Sequence, residues 1–341
     1  MPVHPITLLP HLSDGRFHSG QALGEILGVT RATVWKLIKE LEGLGLEIHS
    51  VTGKGYRLID PPELLNPDLI RSMLTPEVER TLIRLDVLPQ TESTNQYLLK
   101  APEIEAPGVS LVMAESQSAG RGRRGKPWIS PFGRNLYMSF CYSSFTPQHA
   151  VEGLSLVIAV ALCRSFRHFG AENVGIKWPN DILWQDTKTG QAKKLAGILV
   201  ELVGEANGQY RVVLGIGVNL HMSTEDADGI DQPWVDLKSI LPGAQPSRNQ
   251  IAAYLINQVH DVLAQFQNQG FAALEQEWKQ YDQVLGRQLT VRQGNQTIHG
   301  KAVGLDPAGA LLVETAEGIK RFYSGEVSIR STLTQTPSLS R

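Results

Sequence analysis

Cysteine is scarce: the 341 residues contain two, Cys141 and Cys163. Neither has a partner at zinc-ligand spacing, which excludes a disulfide scaffold and a cysteine metal site and points to a reducing compartment. The nine histidines show no ligand spacing either, and read as surface or packing residues. Long apolar runs are missing. The longest, Leu154 to Cys163, contains Ser155 and is too short to span a bilayer. The first residues, MPVHPITLLPHLSDG, lack the cationic start and apolar core of a secretory signal. The expected location is therefore the cytoplasm, with no membrane partner. An excess of charge is also absent. Lys and Arg number 32 against 34 Asp and Glu, for a net charge of −2. That excludes a globally basic nucleic-acid coat, but not a local basic face. What remains is an ordinary globular composition in a chain long enough for two or three domains.

Prolines 61 and 62 interrupt regular structure and mark a linker. Before it, SGQALGEILGVTRATVWKLIKELEGLG holds two helical patterns. Ser19 caps the first, with Leu23, Ile26 and Leu27 as its apolar face, and Gly28 makes the turn. Thr30 caps the second, which buries Val34, Leu37, Ile38, Leu41 and Leu44. Arg31, Thr33, Trp35, Lys36 and Lys39 lie mostly outside that stripe, as in a helix-turn-helix reading a major groove. LEIHSVTGKGYRL alternates as a hairpin whose tip carries Lys54 toward phosphate. Residues 16–57 hold six Lys/Arg and four Asp/Glu, so one unit would bind DNA weakly, and tight binding calls for a dimer reading two half-sites. A small helical protein-interaction domain is the alternative.

GRGRRG, residues 120–125, matches the dinucleotide fingerprint G-x-G-x-x-G. That motif requires a strand, a tight turn and then a helix whose N-terminus faces pyrophosphate. The strand is there, VSLVMAE at 109–115. The helix is not, because KPWISPFGRNLYMSF carries Pro127, Pro131 and Gly133 and resumes as a strand. No acidic residue follows at ribose distance. The segment reads instead as a loop whose Arg121, Arg123 and Arg124 suit a polyanion, or as a solvated or RNA-contacting basic loop. Several other stretches have the same flavour. TESTNQYLL sets Ser93, Thr94 and Asn95 at a helix start, where they cap the helix or line a site. Gln117 precedes the arginine loop. GIKWPNDILW offers Lys177, Asn180 and Asp181, KKLAGILVEL opens an apolar strand with two lysines, and GIGVNL ends with Asn219 ahead of a loop containing Trp234.

In this order, STN, ESQSAGRGRRGKPWISPFG, KWPND, KLAGILVEL and GIGVN behind a winged helix-turn-helix resemble the biotin protein ligases. The specific likeness is to the bacterial bifunctional type that is also the biotin operon repressor, and it spans nearly the whole chain. The resemblance implies an α+β protein in three parts. These are a winged helix-turn-helix (1–62), a central mixed-sheet catalytic domain (63–284) and a small C-terminal β-barrel (285–332), before a flexible tail (333–341). It implies activation of biotin by ATP and Mg²⁺ to biotinyl-5′-adenylate. The biotinyl group then passes to a lysine of the biotin carboxyl carrier protein of acetyl-CoA carboxylase. It further implies homodimerisation with biotinyl-adenylate bound, and repression at operator DNA of biotin biosynthesis genes.

By the same resemblance, Ser93, Thr94, Asn95, Gln117, Arg121, Gly122, Arg123 and Lys194 hold biotin. Arg121, Arg123, Trp128, Asn180, Asn219 and Trp234 serve the ATP or adenylate side. Arg123, Lys194 and Asp181 are the catalytic group, with Asp181 also the magnesium contact. Arg31, Thr33, Trp35, Lys36 and Lys54 would touch DNA. Segment 182–193 is longer than in familiar members, suggesting an extended hairpin near the site, and 221–233 is acidic. The competing readings are a ligand-sensing repressor without enzyme activity, a lipoate- or octanoate-transferring enzyme, and a ligase with a vestigial DNA domain.

Overall fold

The computed structural model describes residues 3–102, 108–145, 153–204, 210–241, 243 and 245–329. The expected tail lies outside them. A 3-10 turn, Pro5–Leu8, leads into α1 (Leu9–Leu12), α2 (Gly20–Leu27), α3 (Arg31–Gly43) and a hairpin of β1 (Ile48–Val51) and β2 (Gly55–Leu58). Ser19 Oγ accepts the Ala22 N–H and Thr30 Oγ1 the Thr33 N–H, capping α2 and α3. Gly28, at φ 65°, turns the chain between them. Val34, Leu37, Ile38 and Leu41 bury α3 in one cluster with Leu8, Leu12 and Leu23, while Leu44 is half-buried beside it. The expected face of α2 needs one correction: Ile26 is 56% exposed. α2 buries Gly20, Leu23 and Gly24 instead. Gly24 sits so near the following turn that a Cβ would come within 2.7 Å of Val29 O, and Ile26 lies off the stripe that Gly20, Leu23, Gly24 and half-buried Leu27 make at helical spacing.

The middle of the chain runs α4 (Pro67–Ser72), α5 (Pro76–Thr81), β3 (Leu82–Leu88), α6 (Thr94–Lys100), β4 (Val109–Ala114), β5 (Leu136–Phe145), α7 (Leu154–His168), β6 (Val174–Lys177), β7 (Asp181–Gln185), β8 (Ala192–Gly204), β9 (Tyr210–Val218), α8 (Leu237–Ile240), α9 (Arg248–Gln269) and α10 (Ala272–Tyr281). The strands form one seven-stranded sheet, β3-β4-β5-β9-β8-β7-β6, in which β3 and β4 are parallel and all other neighbours antiparallel. Period-two alternation decides its two faces. Leu136, Met138 and Phe140 of β5, Ala196 and Ile198 of β8, and Leu214 and Ile216 of β9 join the core with α7, α9 and α10. Their sequence neighbours face the other way. There α6 packs over β4, β5 and β9 through Leu98, Val112 and Val213. Farther along β8 and β9 the same face encloses a cavity.

The C-terminal unit comprises β10 (Gln288–Gln293), β11 (Gln296–Leu305), β12 (Leu311–Thr315), β13 (Gly318–Phe322) and β14 (Glu326–Ile329). Its order is β13-β12-β11-β10-β14, all antiparallel. The outer strands β13 and β14 are not bonded to each other, so the expected barrel is an open sheet. Leu289, Val291, Leu311, Val313 and Phe322 merge its inner face with the central core, and Trp178 Nε1 donates to Gly309 O at 3.1 Å.

The Asp60-Pro61-Pro62 segment is held in place. Arg134 Nη1 lies 2.6 Å from Asp60 Oδ2, and Leu65 N donates to Glu115 Oε1 at 2.6 Å. Glu115 in turn pairs with Arg248 at 2.9 Å in a buried contact. Phe132, 3% exposed, belongs to the core of the N-terminal unit although it lies 70 residues beyond it in sequence.

Candidate active site

The cavity holds about 320 Å³, within the range of small-molecule sites. All the residues assigned above to biotin, nucleotide and catalysis line it. So do Ile129, Lys177, Leu199, Ile230, Gly325 and Glu326, which that assignment left out.

One end is a hydrogen-bond network. Ser93 stands just before α6 at the N-cap position, yet its side chain makes no capping bond, so capping does not explain the STN triplet. Thr94 donates from N (2.9 Å) and Oγ1 (3.2 Å) to Gln117 Oε1, and Gln117 Nε2 donates to Ser130 Oγ at 3.1 Å. Asn95 Nδ2 donates to Glu201 Oε2 at 2.7 Å. Ser139 Oγ lies 2.7 Å from Thr94 Oγ1 and 2.6 Å from Asn95 Oδ1. Ser93, Thr94 and Asn95 are each at most 4% exposed, and groups so buried must find partners or a ligand. Ser139 and Glu201 could have been found from alternation, since each takes the parity opposite to its strand's core residues.

The floor between the two ends is glycine. A Cβ at Gly217 would fall 2.5 Å from the Trp128 indole, and one at Gly215 would collide with the Asn95 amide. Gly217 pairs with Gly197 across β8 and β9. These glycines let Trp128 and Asn95 lie directly on the sheet. The Trp128 Nε1–H is buried without a protein acceptor.

The other end is cationic. Lys194 Nζ lies 2.8 Å from Asp181 Oδ1 and 5.4 Å from the Trp128 ring centroid. Register makes this possible, because Asp181 starts β7 opposite Gly197 of β8, close to Lys194. Arg123 Nη1 donates to Asn180 Oδ1 at 3.1 Å, and Asn180 Nδ2 to Ile198 O at 2.8 Å. Burial, then the neighbouring Arg124, pulls the Arg123 pKa down. Lys177 is also pulled below the ordinary lysine value, chiefly by burial, with Asp181 opposing the shift. Arg121 is exposed at the rim. Asn219 Nδ2 donates to Val235 O at 3.2 Å, and Lys194 pairs through its backbone with Trp234 in an isolated bridge. The loop before Trp234 thereby closes one side. The 182–193 segment is a hairpin as expected, but its turn, closed by Asp186 accepting the Lys188 N–H, contributes nothing to the cavity lining.

On the N-terminal unit, Arg31, Trp35, Lys36 and Lys54 are exposed, and Thr33 is half-buried with its hydroxyl 3.0 Å from Thr30 Oγ1. Gly53 and Gly55 have φ of 80° and 102°, which shapes the hairpin tip around Lys54.

A cavity on a mixed sheet, polar at one end and cationic at the other under an arginine–glycine segment, is the construction of an acyl-activating protein ligase. Residues 87–219 match the biotin/lipoate A/B protein ligase family, 284–330 the biotin protein ligase C-terminal domain, and 7–57 a helix-turn-helix domain. The chain is 41% identical over 327 residues to the bifunctional ligase/repressor BirA of Salmonella typhimurium, covering 96% of this chain and 98% of that one. Against BirA of Bacillus subtilis it is 34% identical over 318 residues, covering 93% and 95%. The chain belongs to the bifunctional ligase/repressor family. Among solved structures it resembles the biotin protein ligase of Aquifex aeolicus in complex with biotin and ATP. There the TM-score is 0.59 at 26% identity, covering 73% of this chain and 99% of that one.

Proposed function

We propose that the chain activates biotin with ATP and transfers it to a lysine of a biotin carboxyl carrier protein. The observation that carries this reading is the meeting of Arg123, Lys177 and Lys194 beyond a glycine floor from the Ser93–Gln117 network. A ureido ring has a carbonyl acceptor and two N–H donors, which suits that network. A plain alkyl chain would offer that network neither donor nor acceptor, so the geometry favours biotin over lipoate or octanoate.

A carboxylate oxygen then attacks the α-phosphorus of ATP, and the bond to pyrophosphate breaks. Two anions must approach, so Arg123, Lys177 and Lys194 offset their repulsion. Asp181 holds Lys194 in place until the anion displaces it. In the second half the carrier amine attacks the acyl carbon, AMP leaves with the bond electrons, and the amine sheds a proton. No protein nucleophile is required. Among the described residues no group of three or more His, Cys, Asp or Glu could hold a metal. Mg²⁺ bound here would therefore take Asp181 together with substrate phosphates and water, and it would supply neutralisation of phosphate charge.

The test uses labelled biotin, MgATP and a carrier domain, with label expected on lysine and pyrophosphate released. Label left unbound, without pyrophosphate, would refute the reading. Arg123→Ala is expected to slow adenylate formation by on the order of 10²–10³ and to release adenylate that the parent retains, as gel filtration of the loaded protein would show.

The exposed Arg31, Trp35, Lys36 and Lys54 support operator binding by the same chain, with biotinyl-adenylate favouring the homodimer that spaces two winged helices. Sedimentation with and without that ligand tests it: self-association should rise at least tenfold, which requires only about 1.4 kcal/mol of differential binding. The carrier protein would compete for the dimer face. No helix of the described residues is long and apolar enough to cross a membrane, in keeping with cytoplasmic partners.

A further inference from the structure

The arginine–glycine segment is fastened to the C-terminal sheet mainly by Arg124, Lys126 and Glu326, side chains that the reaction above does not use. Lys126 Nζ lies 2.6 Å from Glu326 Oε1, and Arg124 Nη1 lies 3.7 Å from Glu326 Oε2. Arg124 Nη2 also donates to Arg292 O at 3.1 Å, and Arg123 Nη1 to Gly325 O at 3.4 Å. At the centre of these contacts Arg124 has φ 57°, the one non-glycine residue with positive φ among the described residues. Such a backbone is strained for an L-residue and persists only where its surroundings over-determine it. Gly122 and Gly125 on either side add little rigidity of their own. The segment therefore needs an external hold, and the contacts supply it from β14 and β10. Lys126 and, more weakly, Arg124 and Arg292 keep the Glu326 carboxyl below the usual carboxylate range, so it is ionised at neutral pH.

We propose that Glu326 is a positioning residue: a latch on the C-terminal sheet that keeps the arginine–glycine segment over the cavity, and thereby sets how long an activated acyl group stays there. The inference rests on the proposed ligase reading for its ligand, but not for the latch itself. The contrary role is imaginable, since a carboxylate at the rim of an anion site repels phosphate, and the two roles predict opposite signs. Loss of a latch shortens retention; loss of a repulsive charge lengthens it. Glu326 is 39% exposed, and exposed ion pairs are individually weak. Removing two together should change retention by roughly three- to tenfold rather than abolish it.

Two measurements on the full chain separate the possibilities. The first is tryptic cleavage after Arg121, Arg123 and Arg124 in the free protein, which does not depend on what the cavity binds. Glu326→Gln should be cut three- to tenfold faster than the parent, with an unchanged melting temperature, and 1 M NaCl should bring the parent toward the variant. The second is the dissociation rate of biotinyl-adenylate, which Glu326→Gln should raise by a similar factor. Glu326→Asp should recover part of the loss, and the Lys126→Glu, Glu326→Lys double exchange more than either single change. Equal cleavage, or slower adenylate release in Glu326→Gln, overturns the latch. If the parent binds no biotinyl-adenylate, the ligase reading fails while the cleavage result still decides the latch.

Discussion

At the residue scale, the site depends on what is missing at Gly217 and on the charge of Lys177. Adding one methyl at Gly217 places carbon 2.5 Å from Trp128, so the indole must lift. Over-packing of this kind costs about 1–3 kcal/mol. Gly217→Ala is expected to weaken biotin binding by roughly 10- to 100-fold with the far-UV spectrum unchanged, as calorimetric titration would show. Lys177 has a depressed pKa, from an ordinary value of 10.5. A lysine so shifted is cationic below its folded pKa and loses its charge as pH rises through it. Adenylate formation should therefore decline on the alkaline side earlier than an ordinary lysine would allow. Lys177→Arg, which stays charged, should move that limb upward, while Lys177→Met should lower the rate at every pH. A limb that ignores both substitutions would assign it elsewhere.

At the element scale, the joint between α10 and β10 carries a second titratable device. Asp282 accepts from Val284 N at 2.8 Å and Leu285 N at 3.3 Å, and burial pushes its pKa up to about 6 from 3.8. Between those two values the folded chain binds more protons than the unfolded one. Stability therefore falls as pH rises through that window, and the full penalty applies above it. Asn keeps the acceptor and removes the charge. Asp282→Asn should gain on the order of 1–3 kcal/mol at pH 7.5 and almost nothing at pH 4, read from denaturant midpoints. Elements like these were legible in the sequence wherever side-chain period and punctuation agree. Ser19, Gly28 and Thr30 bound the two N-terminal helices, and Pro127 with Pro131 argues correctly that no helix follows GRGRRG. The site was less legible because its parts meet through register. Ser139 contributes only because β5 pairs with β9 beside Asn95, and Glu326 only because an open sheet folds back onto the arginine segment. Alternation puts Ser139 on the cavity face without naming its partner, and no sequence neighbour gives Glu326 away. Ile26 misled because the buried stripe of α2 is completed by Gly20 and Gly24, two residues that do not read as apolar.

At the scale of the whole molecule, both cavity loops reach the linker of the N-terminal unit. Arg134, just past the arginine–glycine segment, contacts Asp60 of the linker and, at 3.9 Å, Asp226 of the loop leading to Trp234. Arg134→Ala should cut by several-fold the factor by which biotinyl-adenylate tightens operator binding, measured by fluorescence anisotropy, while the intrinsic affinity of the unliganded chain changes little. A wild-type enhancement in that variant would uncouple the linker contact from the ligand. Phe132 carries the same connection in apolar form, since its ring fills the hydrophobic interior of a unit it does not belong to by sequence. Stripping off the first sixty residues would thus bare an aromatic ring next to the catalytic segment, at about 25 cal/mol for every Å² of apolar surface exposed. A lineage that sheds its N-terminal unit is thereby pressed to change position 132 as well, and single-purpose descendants should carry something small or polar there.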